Sequence, residues 1–576
     1  SAQRLYSEAR DAWQRVVAAA RHFEIRDTAY FELATLFEGP LSDLARAEDS
    51  IRAILEDDET HAIALERLFQ IATKRGDRPL AIQALSRLAE ASTDPRVRVD
   101  VDLRLAEVQR EAGDRPSMVR TLCDAIAHGP ADPRPIGVLQ RLYRVDTPDG
   151  AAAYAAALGQ VLEIASSRRL PIEPRWLTTL GLLEVTVLLR HREGLARLQA
   201  AVNMPTAQID ARAALGRGLE AANRNAEAVQ ILRDALAADI ETLAKISELS
   251  ATLAALESAL AKDGRAEERL SVEEARGCLG DVKPERISRL RARRLAPEAF
   301  PPGALAGPEL FRVLVPEAQS PLLSIAAAIS PIAAKALRFE LSTLGLSSRE
   351  RVGSRDNNPV YRLIDRIAKC LGLESFELYM SPNWQGMPRV YPGDPPAIVA
   401  HPSVAELPEP EQAFSMGRLI VRAVLGPVWL DELAPEAIDG LLMGALRAVD
   451  ANFGVRELGP TREPVVQAFA AQVQRAMGRR QRKALEEILP NATANYDVRG
   501  FVTSLRRGEN RLGYLLSGDL IAAIDHLCRL DRDVARAAED PRLVVMHPVT
   551  GDLLRYALGA TSHAERKRIG TVWTSV

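Results

Sequence analysis

Through its first half the chain sets apolar residues in paired helical stripes, and the same polar turn cuts the stripes at regular intervals. Leu68-Phe69, Leu105-Ala106 and Leu215-Gly216 stand at equal distances before Gly76, Gly113 and Asn223. After the turn come Ala81, Met118 and Ala228, and then Leu85, Leu122 and Leu232, again at equal offsets. Gly76-Asp77-Arg78-Pro79 returns as Gly113-Asp114-Arg115-Pro116, and Asp94-Pro95-Arg96 returns as Asp132-Pro133-Arg134, giving repeat distances of 37 and 38 residues. Apolar positions three to four residues apart on each side of a turn predict two amphipathic helices per unit. Units that recur at such a period bury their apolar faces by stacking, which predicts an α-solenoid over residues 1–262. Gly or Asn at the turn suits a helix that ends in the left-handed region, where other residues carry a Cβ penalty.

Beyond Asp263 the pattern changes. Gly264, Gly277, Gly280, Pro284, Pro297, Pro301 and Pro302 punctuate residues 263–307, which read as a linker holding one helix from Pro284 to Leu295. That helix carries Arg286, Arg289, Arg291, Arg293 and Arg294, a possible basic patch with acidic neighbours at Glu273, Glu274 and Asp281. Residues 308–576 read as one helix-rich α+β domain. Helices are predicted at Leu322 to Leu344, Pro359 to Leu371, Glu409 to Leu425, Pro435 to Asp450, Pro464 to Glu487 and Gly513 to Leu530. Strands at Glu377 to Met380, Val390-Tyr391 and Ala397 to Ala400 predict a small antiparallel sheet or hairpin packed on helices. The fold class is mostly α.

Composition removes several classes. The 74 basic and 77 acidic residues leave a net charge of −3, no global field for nucleic acid or an anionic membrane. Cys123, Cys278, Cys370 and Cys528 stand far apart with no metal-ligand spacing, which fits a reducing compartment and a cytoplasmic location. The longest apolar stretch, Leu322 to Leu337, contains Ser324, Ser330, Pro331 and Lys335 and is too short to span a bilayer. No signal-peptide pattern opens the chain, and Ser1 stands without an initiator Met, so a fragment or processed form is one expectation.

Leu215-Gly216, Gly76, Gly113, Ala81, Ala228 and Pro130 together resemble the signature of the tetratricopeptide repeat, over residues 3–262. The family's Trp and Tyr positions are mostly Leu, Val or Ala here. This resemblance implies a protein-binding array, with Arg67, Arg104 and Arg212 on the first helices of the repeats as partner-binding residues. In the second half, the order of parts is similar to helix-rich metallopeptidase-like domains of the gluzincin type, which some bacteria fuse to tetratricopeptide arrays. That order is a Leu-Gly-Leu-Glu before a short strand, a Pro-Pro before another, a helix opening near Leu407 and a late Gly-Tyr-Leu-Leu-Ser-Gly-Asp. Active members carry His-Glu-x-x-His, whose two His share a helix face and bind zinc. Under this resemblance Arg418, Leu419 and Arg422 replace His, Glu and His, and Arg506 and Asn510 stand at the later Glu and Asp positions. A guanidinium has no lone pair for zinc, so the resemblance implies a catalytically inactive domain with no metal and no cofactor.

Other constellations are weak. Asp525, His526, Cys528 and Asp531 lie close in sequence, but His526 points off the face that Asp525 and Cys528 share. His401 and His547 each precede a Pro with no nucleophile nearby in sequence, and no phosphate-binding, dinucleotide-binding or calcium-loop motif is present. The basic run Arg479-Arg480-Gln481-Arg482-Lys483 reads as a solvated face or a second nucleic-acid or phospholipid patch, the polar segment Ser347 to Pro359 as a solvated connection or an exposed recognition loop, and Trp384, Met387 and Tyr391 anchor a Pro/Gly-rich loop onto the core or a partner. The expected function is a non-enzymatic scaffold that binds partner proteins in a larger assembly, with no membrane span. Two alternatives stand beside it: a hydrolase with an unrecognised active site, and nucleic-acid binding through Arg286 to Arg294.

Overall fold

A computed structural model describes residues 2–145, 147–245, 247–294 and 300–573, with side chains from residue 5 onward. Helix accounts for 73% of residues and strand for 3%, which makes the protein mostly α with one small sheet. The chain divides into two compact units, Ser1–Ala222 and Asn223–Val576. The helices Asn225–Lys245 and Leu249–Lys262, and the segment 263–307, therefore belong to the second unit.

The first unit opens with α1 (Ala2–Ala19), α2 (Phe23–Glu38), α3 (Leu44–Asp57), α4 (Ala62–Arg75), α5 (Arg78–Ala91), α6 (Pro95–Glu111) and α7 (Arg115–His128), and further helices continue to Ala221. Each of the seven packs against the next, the pairwise arrangement of a helical solenoid. The recurring tetrapeptide closes one helix and starts another. Gly76 (φ 72°) and Gly113 (φ 78°) lie in the left-handed region. Gly76 N–H donates to Thr73 O at 3.1 Å and Asp77 N–H to Ala72 O at 2.9 Å; Gly113 and Asp114 repeat this on Arg110 O and Gln109 O at 3.1 and 2.9 Å. The Asp77 carboxylate then accepts from Leu80 N–H and that of Asp114 from Ser117 N–H, with Pro in the first turn of each new helix. Asp94 and Asp132 cap the helices that start at Pro95 and Pro133 in the same manner. Asn223 takes φ 59°. The apolar residues at fixed offsets, Leu68, Leu105, Ala81, Met118, Leu85 and Leu122, are all buried.

From Phe300 to Ile569 the second unit shares one large apolar core. Its elements include α8 (Leu249–Lys262), α9 (Ala266–Cys278), α10 (Pro284–Ala292), α11 (Glu409–Leu425), α12 (Val498–Ser517), α13 (Leu520–Leu530) and α14 (Ala560–Ile569). Helix α10 is the one expected between residues 284 and 295; Leu295 and Pro297 lie outside the described residues. Helices Pro359–Leu371 and Glu409–Leu425 have the bounds their patterns predict. The helix expected over Leu322 to Leu344 is broken, because Pro331 interrupts it and Arg338 turns into the left-handed region at φ 53°. Gly518, at φ 63°, ends α12 where one helix to Leu530 was expected, and α12 begins at Val498 rather than Gly513.

Strands β1 (Arg351–Val352), β2 (Glu377–Met380), β3 (Arg389–Tyr391) and β4 (Ala397–Ala400) form one sheet in the order β1-β2-β4-β3. The expectation of an antiparallel sheet is corrected here: β2 and β4 are parallel, with Glu377 opposite Ala397, and only the outer pairs are antiparallel. All four residues of β4 are buried, as a central strand with an unbroken apolar run requires. Trp384 folds back on this sheet, edge-on to Tyr391 at 6.0 Å, with its Nε1–H donating to Met387 O at 3.2 Å.

Candidate functional site

Helices α11 and α12 cross at two glycines. A Cβ on Gly417 would stand 2.8 Å from Leu516 Cδ1, and one on Gly513 would stand 3.0 Å from Phe414 O and 2.9 Å from Arg418 Cγ. This close approach brings together polar side chains that the sequence holds far apart. Arg422 of α11 is 3% exposed and Glu509 of α12 is 0% exposed. Arg422 Nε donates to Glu509 Oε1 at 2.8 Å and Nη2 to Oε2 at 2.7 Å, a bidentate pair of the strong, charge-assisted kind. The third edge of the guanidinium, Nη1, donates to Asp431 Oδ2. Arg506, half a side chain in solvent, reaches the other Asp431 oxygen at 3.5 Å.

Arg418 lies one turn before Arg422, its guanidinium 5.7 Å from the Phe414 ring centroid. Its Nε is buried with no hydrogen-bond partner among the described residues. Burial pulls its pKa down to about 10, against the attraction of Glu509 and Asp431. Also beside Phe414, at 5.5 Å between ring centroids, is His526 of α13, which is 1% exposed. Burial, with the charges of Arg418 and Arg529 added, lowers its pKa to about 3, so it is neutral at physiological pH. His526, which the helical spacing sets off the face of Asp525 and Cys528, is thus a core residue.

Of the positions that the peptidase resemblance singled out, Arg418, Arg422 and Arg506 gather around two carboxylates, Asp431 and Glu509. Leu419 is buried in the apolar core, and Asn510, 4% exposed, keeps a buried Oδ1 without a partner among the described residues. Sequence reasoning passed over Glu509 and Asp431; the available signal was a lone acid at 509 among Arg506, Arg507 and Arg511. Among the described residues no group of three or more His, Cys, Asp or Glu side chains is placed to hold a metal ion.

No known protein-family model matches the chain, and no curated protein matches it in sequence. Chemically, both carboxylates of the cluster are paired with guanidinium groups, Glu509 with Arg422 and Asp431 with Arg422 and Arg506. Its one surplus cation is a partly buried arginine.

The remaining sites expected from sequence are dispersed. Arg286 bridges Glu257 of α8, at 2.6 Å, and Glu273 of α9. Arg291 binds Asp519 at 2.9 Å, Arg294 donates to Ser517 O, Arg289 donates to Glu285 O within its own helix, and Arg293 caps that helix. Much of this basic charge is met inside the unit. In the first unit, Arg67 pairs with Glu38, and Arg104 pairs with Glu66 at 2.8 Å while lying 4.5 Å over the Phe69 ring, so both tie successive repeats together. Arg212 is exposed. His401 and His547 act as caps, their Nδ1 accepting from Ser403 N–H and Val549 N–H. The Arg479–Lys483 run is solvent-facing apart from half-buried Gln481. No helix of the described residues is long and apolar enough to cross a membrane.

Proposed function

We propose that the protein is a non-enzymatic scaffold: a tetratricopeptide-like helical array that binds partner proteins, carried with a domain of metallopeptidase-like ancestry that no longer catalyses. The observation that carries this reading is the Arg422–Glu509–Asp431 cluster. At the crossing of α11 and α12, where the resemblance would set two His and a Glu, Arg422 pairs with both Glu509 and Asp431. A buried, hydrogen-bonded arginine supplies to such a crossing the positive charge that a metal ion would supply, and it offers no open coordination position to a substrate. The array supports the same reading. Its helices pack pairwise around cores of their own, which leaves their outer residues available for a partner.

Two measurements on the full chain test this. Immobilised protein, exposed to an extract of its native host, is expected to retain a partner whose purified form then titrates to a defined stoichiometry. Elemental analysis of the purified chain is expected to show no stoichiometric zinc. Bound zinc together with peptide hydrolysis would overturn the reading.

A further inference from the structure

The first unit carries a groove of about 600 Å³ where the N-terminal half of α2 faces the junction between α3 and α4. That volume lies within the roughly 300–1,000 Å³ range of ligand pockets. Its apolar walls are Phe23 and Phe31 of α2 and Ile63 of α4. Phe23 is 64% and Ile63 is 68% exposed, so two large apolar side chains that could have joined the core face solvent across one cleft.

Acids line the same cleft. Asp27 stands on α2, Asp57 ends α3, and Asp58 follows it. Arg26 pairs with Asp57, and its Nε is buried without a hydrogen-bond partner among the described residues. His61 offers its Nδ1 as an acceptor to Ala64 N–H at 3.2 Å, with its ring 5.6 Å from that of Phe31. The Asp58 carboxylate accepts from Thr60, through N–H at 2.9 Å and Oγ1–H at 2.8 Å, and these bonds favour its charged form. Asp27 has a buried Oδ1 with no hydrogen-bond partner among the described residues. A carboxylate oxygen withdrawn from water and left unpaired is satisfied by an incoming donor, and a cationic donor also answers the acidic surplus.

We propose that this groove binds a segment of a partner protein that presents one large apolar side chain flanked by lysine or arginine. The apolar side chain enters between Phe23, Phe31 and Ile63, while the flanking cations meet Asp27 and Asp58. This rests on the protein-binding reading of the array and assigns the chemistry of its ligand.

The test uses the full chain and a short fluorescein-labelled peptide with one Phe between two lysine pairs, read by fluorescence anisotropy. Saturable binding is expected. It should weaken at least about tenfold in Ile63→Ser and in Asp27→Asn/Asp58→Asn, when the peptide's Phe is replaced by Ala, and on raising salt to about 1 M, where the Debye length falls to about 3 Å. Phe23 and Ile63 are exposed, so Phe23→Ser and Ile63→Ser should leave the circular dichroism melt unchanged, which separates lost binding from lost folding. No saturable binding, unaltered affinity in these variants, or equal affinity for a peptide with glutamate in place of lysine would overturn the proposal. So would self-association of the chain that Ile63→Ser abolishes, since a second copy would then be the occupant. The two proposals fail separately. A captured partner that the lysine–Phe peptide does not compete away leaves the scaffold standing without this groove; peptide binding by a chain that retains no partner and hydrolyses peptides does the reverse.

Discussion

Replacing Glu509 by Gln should destabilise the second unit far more than replacing Arg418 by Met, although both belong to one cluster. The cluster holds three cations, Arg418, Arg422 and Arg506, and two anions, Asp431 and Glu509, a surplus of one positive charge. Glu509→Gln raises that surplus to two and weakens the bonds that Arg422 makes at 2.8 and 2.7 Å. Breaking a buried ion pair costs roughly 3–5 kcal/mol, and the retained Asp431 contact sets the expectation at about 3 kcal/mol. Arg418→Met removes the surplus cation and keeps an apolar stem against Phe414, so it should cost under about 1 kcal/mol or stabilise. With an unfolding entropy of about 2.1 cal/mol/K per residue, the roughly 350 residues of this unit give about 0.7 kcal/mol/K. A loss of 3 kcal/mol is then about 4 °C in Tm, against a shift of about 1 °C or less for Arg418→Met. Calorimetric melts of the full chain, paired with tryptophan fluorescence that includes buried Trp429 two residues from Asp431, measure both. Adding Arg418→Met to Glu509→Gln returns the surplus to one and should recover part of the loss. Equal losses in the two single variants, or a greater loss for Arg418→Met, would refute the charge-surplus argument.

Three further outcomes follow from other parts of the fold. Glu274 is fully buried against Arg566 and Leu520 N–H, and burial pushes its pKa up to about 8. Its contribution is fully present below the unfolded glutamate value of about 4.3 and is lost as pH rises towards 8, so the wild-type Tm should fall from pH 5 to 8 relative to Glu274→Gln; parallel pH profiles would contradict this. Gly513→Ala forces a Cβ against Phe414 O and Arg418 Cγ and should cost about 1–3 kcal/mol, read as a drop of roughly 1–4 °C in the same melts, whereas an unchanged melt would mean that the crossing can widen freely. In the array, Asp77→Ala and Asp114→Ala each remove a helix N-cap and should cost about 0.5–2 kcal/mol, seen as faster amide exchange in the turn that follows; unchanged exchange would mean that Pro and packing alone hold these starts.

The array was legible because its information is local. A Gly that ends one helix, an Asp that caps the next and a Pro in its first turn act within a few residues, and each acts in the same way wherever the tetrapeptide recurs. The stripe positions 68, 81 and 85 are buried for the same reason, since helical period alone decides which face they share. Strand identity was also local, and the apolar run at Ala397 to Ala400 was read as a strand. Strand partnership was not local: that β4 lies parallel to β2 depends on a connection of sixteen residues which folds β3 onto the far edge. Helix ends failed where backbone conformation overrode side-chain pattern, as at Arg338 and Gly518, whose positive φ stops helices that the apolar residues alone would continue.

The charge cluster lies at the opposite extreme. Arg422 and Glu509 are 87 residues apart, and neither has a neighbour in sequence that requires the other. Placing Arg418 and Arg422 on one helix face shows only that two guanidinium groups point the same way, an arrangement that is unfavourable unless something anionic is set opposite. The structural requirement was therefore readable as a question, though its answer was not: a buried helix face with two arginines demands a buried acid on whatever packs against it. Glycine at 417, one residue before the first of these arginines, adds that the packing element is a backbone in near contact, and α12 meets both demands with Gly513 and Glu509 one turn apart. Small residues at the crossing and charge complementarity one turn away thus form a single constraint. It ties the depth of the helix contact to the geometry of the ion pair, so that widening the crossing and neutralising the acid should fail through the same interface.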